Sequence, residues 1–93
     1  MTNVIKRNGQ QEPLRPGKIR KSVEEAVKDA GFNPRQKMNV IEHATQDALE
    51  MAQSRERVKS QQIRDTILND LDHDDPQVAQ AWRTFEKQHG INY

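Results

Sequence analysis

The chain has 93 residues and a mass of 10.8 kDa, room for a single domain, 1–93, around one core. It contains no Cys, which excludes disulfide frameworks and thiolate-bound zinc or iron–sulfur centres and suits a reducing, cytoplasmic setting. Only 18 of the 93 residues are Val, Ile, Leu or Phe, but 15 basic against 14 acidic residues leave a net charge of +1, so the charge imbalance of disordered chains is missing and a lean folded domain is expected.

No apolar run exceeds two residues, so neither a membrane span nor a signal-peptide core is encoded. The charge is unevenly divided. Residues 1–37 hold nine Lys/Arg and four Asp/Glu, net +5, whereas residues 38–93 hold six and ten, net −4. An anionic ligand, if bound, belongs at the basic end.

The first element reads as a hairpin. Val4 to Arg7 is a short strand, Asn8-Gly9 a two-residue turn signal, and Gln10 to Leu14 the return strand. A type I′ turn pairs Arg7 with Gln10, Lys6 with Gln11 and Ile5 with Glu12, which puts Arg7, Ile5 and Glu12 on one face. Pro13 lacks an N–H and marks an edge strand. Pro16-Gly17 opens a helix with the apolar stripe Ile19, Val23, Ala26, Val27 and Ala30, and Gly31 follows as its stop. Asn33-Pro34, with Gln36 three after the Asn, resembles a capping box and opens a second helix over 34–53. Its stripe is Met38, Ile41, Thr45, Ala48, Leu49 and Ala52. Ser54 to Lys59 is polar, a loop or, around Val58, a short strand. Ser60 caps a third helix carrying Ile63, Ile67, Leu68 and Leu71; Asp72 to Pro76 is a second cap-plus-Pro signal; and a fourth helix carries Val78, Ala81, Trp82 and Phe85 and stops at Gly90.

Catalytic chemistry finds no foothold, and no enzyme is expected. His43, His73 and His89 have no His partner at i, i+4, so no metal site is expected. The run Asp70, Asp72, Asp74, Asp75 lacks the Gly and Glu of a calcium loop and reads as a helix end followed by a cap. Gly17-Lys18 lacks the rest of a phosphate-loop motif. What stands out is Lys18, Arg20 and Lys21 in the first turns of a helix, where cations oppose the helix dipole. A polyphosphate there would offset that placement, with Lys6 and Arg7 adding positive charge from the hairpin. Glu12 among them is an acceptor for a ribose hydroxyl or base amine, or a partner for Arg7 or Lys6.

The run Val4-Ile5-Lys6-Arg7-Asn8-Gly9, then Glu12-Pro13-Leu14 and Lys18-Ile19, with Val58-Lys59-Ser60-x-x-Ile63 before a later helix, resembles the ATP-cone domain family over about residues 3–90. The resemblance implies an α+β fold: a four-helix bundle covered by a small three-stranded mixed sheet, the N-terminal β-hairpin plus a third strand at 57–59. It implies a regulatory, non-catalytic module that binds ATP or dATP, with Mg²⁺ bridging the phosphates, and that changes self-association. The partners it implies are a second copy of the chain, a ribonucleotide reductase or a transcription factor. Matching the family's contacts residue by residue, Val4, Ile5, Lys6 and Arg7 line the base and phosphates, Glu12 is the acidic position and Lys18 a phosphate contact. Ser60 is a hydroxyl position beside the nucleotide, Arg64 a further binding side chain projecting from the third helix, and Lys87 a C-terminal basic contact. Asn8 and Leu14 replace the family's usual Asp and Phe, and Trp82 and Phe85 stand near its usual tyrosines. Arg15 replaces a small polar residue and adds a phosphate contact. Neither a reductase body nor a zinc ribbon follows, so the domain reads as free-standing. Two competing readings use the same residues: a nucleic-acid-binding or transcription-associated module on the basic N-terminal face, and a protein-interaction module without a nucleotide.

Overall fold

The structure, a computed structural model, describes residues 1–90. It contains three short strands, β1 (Asn3–Ile5), β2 (Gln11–Pro13) and β3 (Arg57–Lys59), and four helices, α1 (Pro16–Asp29), α2 (Met38–Gln53), α3 (Ser60–Asp74) and α4 (Pro76–His89). The α+β architecture expected from the sequence is present. Each helix packs on two others in a closed ring, α1 on α2 and α4, and α3 on α2 and α4, with α2–α3 the most extensive pairing.

The sheet has the order β2-β1-β3, β1 antiparallel to β2 and parallel to β3. Residues 57–59 supply the third strand, as the resemblance implied. Pro13 lies in an edge strand, where its missing N–H costs no ladder bond. Val4 pairs with Val58, and both bury their side chains in the helical core.

The hairpin register differs from the sequence reading by one residue. Val4, not Ile5, stands opposite Glu12, and Ile5 opposite Gln11. The turn is a three-residue loop, Arg7 to Gly9, closed by Lys6 N–H to Gln10 C=O at 2.7 Å and Gly9 N–H to Lys6 C=O at 2.9 Å. A type I′ turn needs positive φ at both Asn8 and Gly9, and only Gly9 adopts it, at +86°. Asn8 instead spends its side chain on the backbone, its Oδ1 accepting from Gln10 N–H at 3.0 Å. A one-residue slip exchanges faces. Lys6 therefore joins Val4 and Glu12 on the helix-facing side, and the grouping of Arg7, Ile5 and Glu12 does not form.

The helical stripes are buried largely as the spacing predicts. Ile19, Val23, Ala26 and Val27 enter the core from α1, and Ile63, Ile67, Leu68 and Leu71 from α3. The second helix departs from its expected 34–53 span. Pro34–Lys37 forms a single tight 3₁₀ turn before α2 begins at Met38. The Asn33 capping box is formed, its Oδ1 accepting from Arg35 N–H at 3.0 Å while Gln36 Oε1 accepts from Asn33 N–H at 3.1 Å. Met38, expected in the core, is 41% exposed, and Ala44 takes up core space instead. Ala79 likewise enters the core from α4 with Val78 and Trp82, while Ala81 and Phe85 line a surface groove.

Of two expected caps, one is reassigned. Ser60 is the first residue of α3 and is buried; Lys59 occupies the cap position, with its N–H donated to Gln62 Oε1 at 3.0 Å. Asp75 does stand at the cap position of α4, but its carboxylate pairs with Lys37 Nζ at 2.8 Å. No helix among the described residues is long and apolar enough to cross a membrane.

Candidate functional site

The slipped register brings Lys6, Glu12 and Lys18 together. Glu12 lies between two ammonium groups, Lys6 Nζ at 3.2 Å and Lys18 Nζ at 3.3 Å, one from β1's end and one from the first turn of α1. Partial burial works to raise the Glu12 carboxyl, but hydrogen bonds from Lys6 and Lys18 outweigh it and hold its pKa below the ordinary carboxylate value. Glu12 thus stays ionised and fixes the two lysines in place.

This trio joins two concavities. A smaller cleft of about 310 Å³ is lined by Ile5, Lys6, Arg7, Gly9, Lys59, Ser60 and Gln61, where β1 and β3 end and α3 begins. Three of its lining residues are cations and none is acidic. A larger groove of about 750 Å³ runs between α1 and α4, lined by Lys18, Lys21, Ala26, Ala81, Trp82, Phe85 and Glu86 among others. Lys6 belongs to the first concavity and Lys18 to the second, so the Glu12 carboxylate is the pin between them.

Two helix starts adjoin the sheet and, like those of α2 and α4, they have no side-chain cap bond. Arg15 is the cap residue of α1 and Lys59 that of α3; neither helix has a side-chain cap bond or an acidic residue in its first turn. Free N–H groups at a helix start prefer an acceptor oxygen or an anion, and cations oppose the dipole there. The register puts these two starts at opposite ends of the sheet, because β2 runs against β1 and β3 runs with it. An anion lying across the hairpin would face cations from both sides, Arg15 and Lys18 from α1 and Lys59 from β3.

The remaining expected site residues are distributed around this centre. Val4 is buried under the sheet, and Arg15 is exposed at the start of α1. Arg64 is clamped: its Nε and Nη2 donate to the two Glu86 oxygens at 2.6 and 2.7 Å, and its Nη1 to Asp65 at 2.9 Å. Burial works to raise the Glu86 carboxyl, but hydrogen bonds from Arg64 and the Trp82 side chain bring it below its ordinary value. Through Glu86, Arg64 borders the α1–α4 groove. Lys87 is exposed on the last turn of α4 and lines neither concavity. The sequence reading missed Lys59 and Glu86. Lys59 carried a signal, a cation directly before a helix start, whereas Glu86 had none beyond a position one turn after Trp82.

None of the described aromatic residues lines the basic cleft. Trp82 and Phe85 face the α1–α4 groove, with His89 stacked on Phe85 at 4.5 Å, and Phe32 lies beneath Lys37 at 4.1 Å. A base-stacking platform of the kind single-stranded nucleic acids use is therefore not built on the basic face.

A scan against protein-family models matches the ATP cone domain over residues 2–90, nearly the whole chain. Searches of curated proteins and of solved structures return no match.

Proposed function

We propose a function that starts from one fact: the chain belongs to the ATP-cone domain family, whose members are nucleotide-binding regulatory modules. In this reading the domain takes ATP or dATP at the hairpin, with the phosphates against Lys6, Arg7 and Lys18. Arg15 and Lys59 complement them from the starts of α1 and α3. Arg forks phosphate oxygens, and Lys acts as a point charge. Glu12 accepts from a ribose hydroxyl or the adenine amine while keeping both lysines oriented. Ile5 and Ser60 add an apolar wall and a hydroxyl, and Arg64 and Lys87 are the outlying basic contacts.

Mg²⁺ arrives with the phosphates in this reading. The one carboxylate at the hairpin, Glu12, is held by two lysines, so the ion's ligands are phosphate oxygens and water. No residue here acts on the phosphates chemically. The ligand orders the loop Arg7 to Gly9 and the helix starts, and that ordering shifts self-association or the docking of a protein partner. Such a shift requires tighter binding to one state than to the other.

The observation that supports this reading best is the Lys6–Glu12–Lys18 trio beside the cation-lined cleft where α3 begins. Thermal melting with millimolar ATP or dATP and Mg²⁺ tests it. The wild-type chain gains several degrees, and the double variant Lys6→Ala/Arg7→Ala melts at the wild-type temperature without nucleotide but gains nothing from it. A wild-type chain indifferent to both nucleotides overturns the reading. Sedimentation with and without nucleotide then separates self-association from partner docking.

A further inference from the structure

We infer that the outer edge of the α2–α3 pair is a site for one divalent transition-metal ion, separate from the nucleotide site. His43 and Asp47 stand four apart on α2, and Asp70 and Asp74 stand four apart on α3. In each helix that spacing aligns two side chains on one face. The tight α2–α3 packing brings the two pairs together.

The geometry divides the four residues into roles. His43 Nδ1 is hydrogen-bonded to Asp74, which sets the ring orientation and leaves Nε2 as the free coordinating atom. Nε2 then points between two carboxylates, 3.4 Å from Asp47 Oδ2 and 3.9 Å from Asp70 Oδ2. Ligand atoms of His43, Asp47 and Asp70 lie within 4.8 Å of one another. An ion with bonds of about 2.0–2.2 Å needs ligand atoms roughly 3–3.6 Å apart, so only a small inward movement completes the site.

Asp70 supplies an independent observation. The residue is 8% exposed, and its Oδ2 is buried with no hydrogen-bond partner. It sits on the core side of α3, seven residues after Ile63 and three after Ile67, among the buried Ile63, Ile67, Leu68 and Leu71. A buried, unpartnered carboxylate oxygen is costly. The fold spends a core position on it, and the oxygen, without a hydrogen bond, faces the His43–Asp47 pair. A cation between the three side chains satisfies that oxygen and balances the excess of carboxylates over imidazole.

The donor set selects the ion class. One imidazole nitrogen with two carboxylates and no thiolate suits Zn²⁺, Mn²⁺, Co²⁺ or Fe²⁺, and the imidazole disfavours Ca²⁺ and Mg²⁺. Three protein ligands leave a position for water or for a donor from a partner. The ion would tie α2 to α3. None of the four residues lines either concavity of the nucleotide site. The absence of a His pair at i, i+4 hid the site in the sequence, because its ligands come from two helices.

The test uses chelator-stripped whole chain and ZnCl₂ alone, without nucleotide, read by isothermal titration and thermal melting. Wild type takes up one equivalent and melts higher. His43→Ala and Asp70→Asn lose that equivalent, while Asp74→Asn keeps it at about 10–100-fold weaker affinity, as the loss of an orienting partner predicts. Asp70→Asn is nearly isosteric and removes a buried charge, so it folds; Asp47→Asn provides a second ligand variant. Lys6→Ala/Arg7→Ala and His89→Ala retain the equivalent. Absence of zinc binding in wild type, or unchanged binding in His43→Ala or Asp70→Asn, overturns the inference.

Discussion

The cations of this domain are handled in two ways, according to where they lie. Away from the sheet three close on a carboxylate of their own: Arg64 on Glu86 at 2.6 Å, Arg83 on Asp72 at 2.6 Å, Lys37 on Asp75 at 2.8 Å. At the sheet, Lys6 and Lys18 share one Glu12 at 3.2 and 3.3 Å, and Arg7, Arg15 and Lys59 make no ion pair with a described residue. Among the helix starts, Asn33 has a complete capping box at the 3₁₀ turn, whereas the starts of all four α-helices, Arg15 and Lys59 at the sheet among them, have no side-chain cap bond. The Arg64, Arg83 and Lys37 pairs tie helix to helix, and Arg7, Arg15 and Lys59 around the hairpin stand free to meet a ligand that is not protein.

Substitutions sharpen or break that contrast. The largest effect is expected from Arg64→Ala, which strips Glu86, a side chain only 9% exposed, of a two-point hydrogen-bonded partner. A loss of about 2–3 kcal/mol in urea unfolding is the expected scale for bonds to a charged, largely buried group. Arg7→Ala, by contrast, changes stability by less than about 0.5 kcal/mol. Equal losses in the two variants would erase the distinction between structural and reserved cations. Acid provides a related check on the paired side. The Glu86 pKa lies below its ordinary 4.5 when folded, so its stabilising contribution is complete above that value and fades as pH falls below it. The stability gap between wild type and Glu86→Gln, followed by melting from pH 7 to 3, should therefore narrow below about pH 4.5.

Helix starts give smaller effects with opposite signs. Asn33→Ala removes a working cap and costs about 1 kcal/mol, with the nucleotide-dependent rise in melting temperature unaffected. Arg15→Asp places a favourable cap where a cation now sits. It gains up to about 1 kcal/mol without nucleotide and weakens the response to ATP. A variant that is stabler and yet less responsive is the signature of a helix start held back for an anion. If Arg15→Asp destabilises the chain, the cation has a structural role and that argument fails.

Much of this was legible in the sequence. The stripes of α1 and α3, the Asn33 capping box and the concentration of cations in residues 1–37 all depend on local spacing. The hairpin register was not legible. Asn8-Gly9 serves a two-residue turn and a three-residue loop equally well, and the sign of φ at Asn8 decides between them. That single angle determines whether Lys6 or Arg7 reaches Glu12. The His43, Asp47, Asp70 and Asp74 cluster was hidden for a different reason, since the rotation of α2 against α3 is set by packing among Ile41, Ala44, Ile67 and Leu71. One trace of it was readable, an aspartate at a core position of the third helix's stripe.

The parallel pairing of β1 with β3 has a consequence for the order of assembly. Asn3 meets Arg57 only after two helices have been laid between them, whereas the hairpin closes over a few residues. Closing such a long loop is entropically costly and slow, so the bundle is expected to collapse before the sheet is complete. In hydrogen exchange the amides joining the two strands should open well below the global unfolding free energy, ahead of the buried turns of α1 and α3. The last seam to close in folding is then the first to open in the native protein, a soft edge on a tighter body.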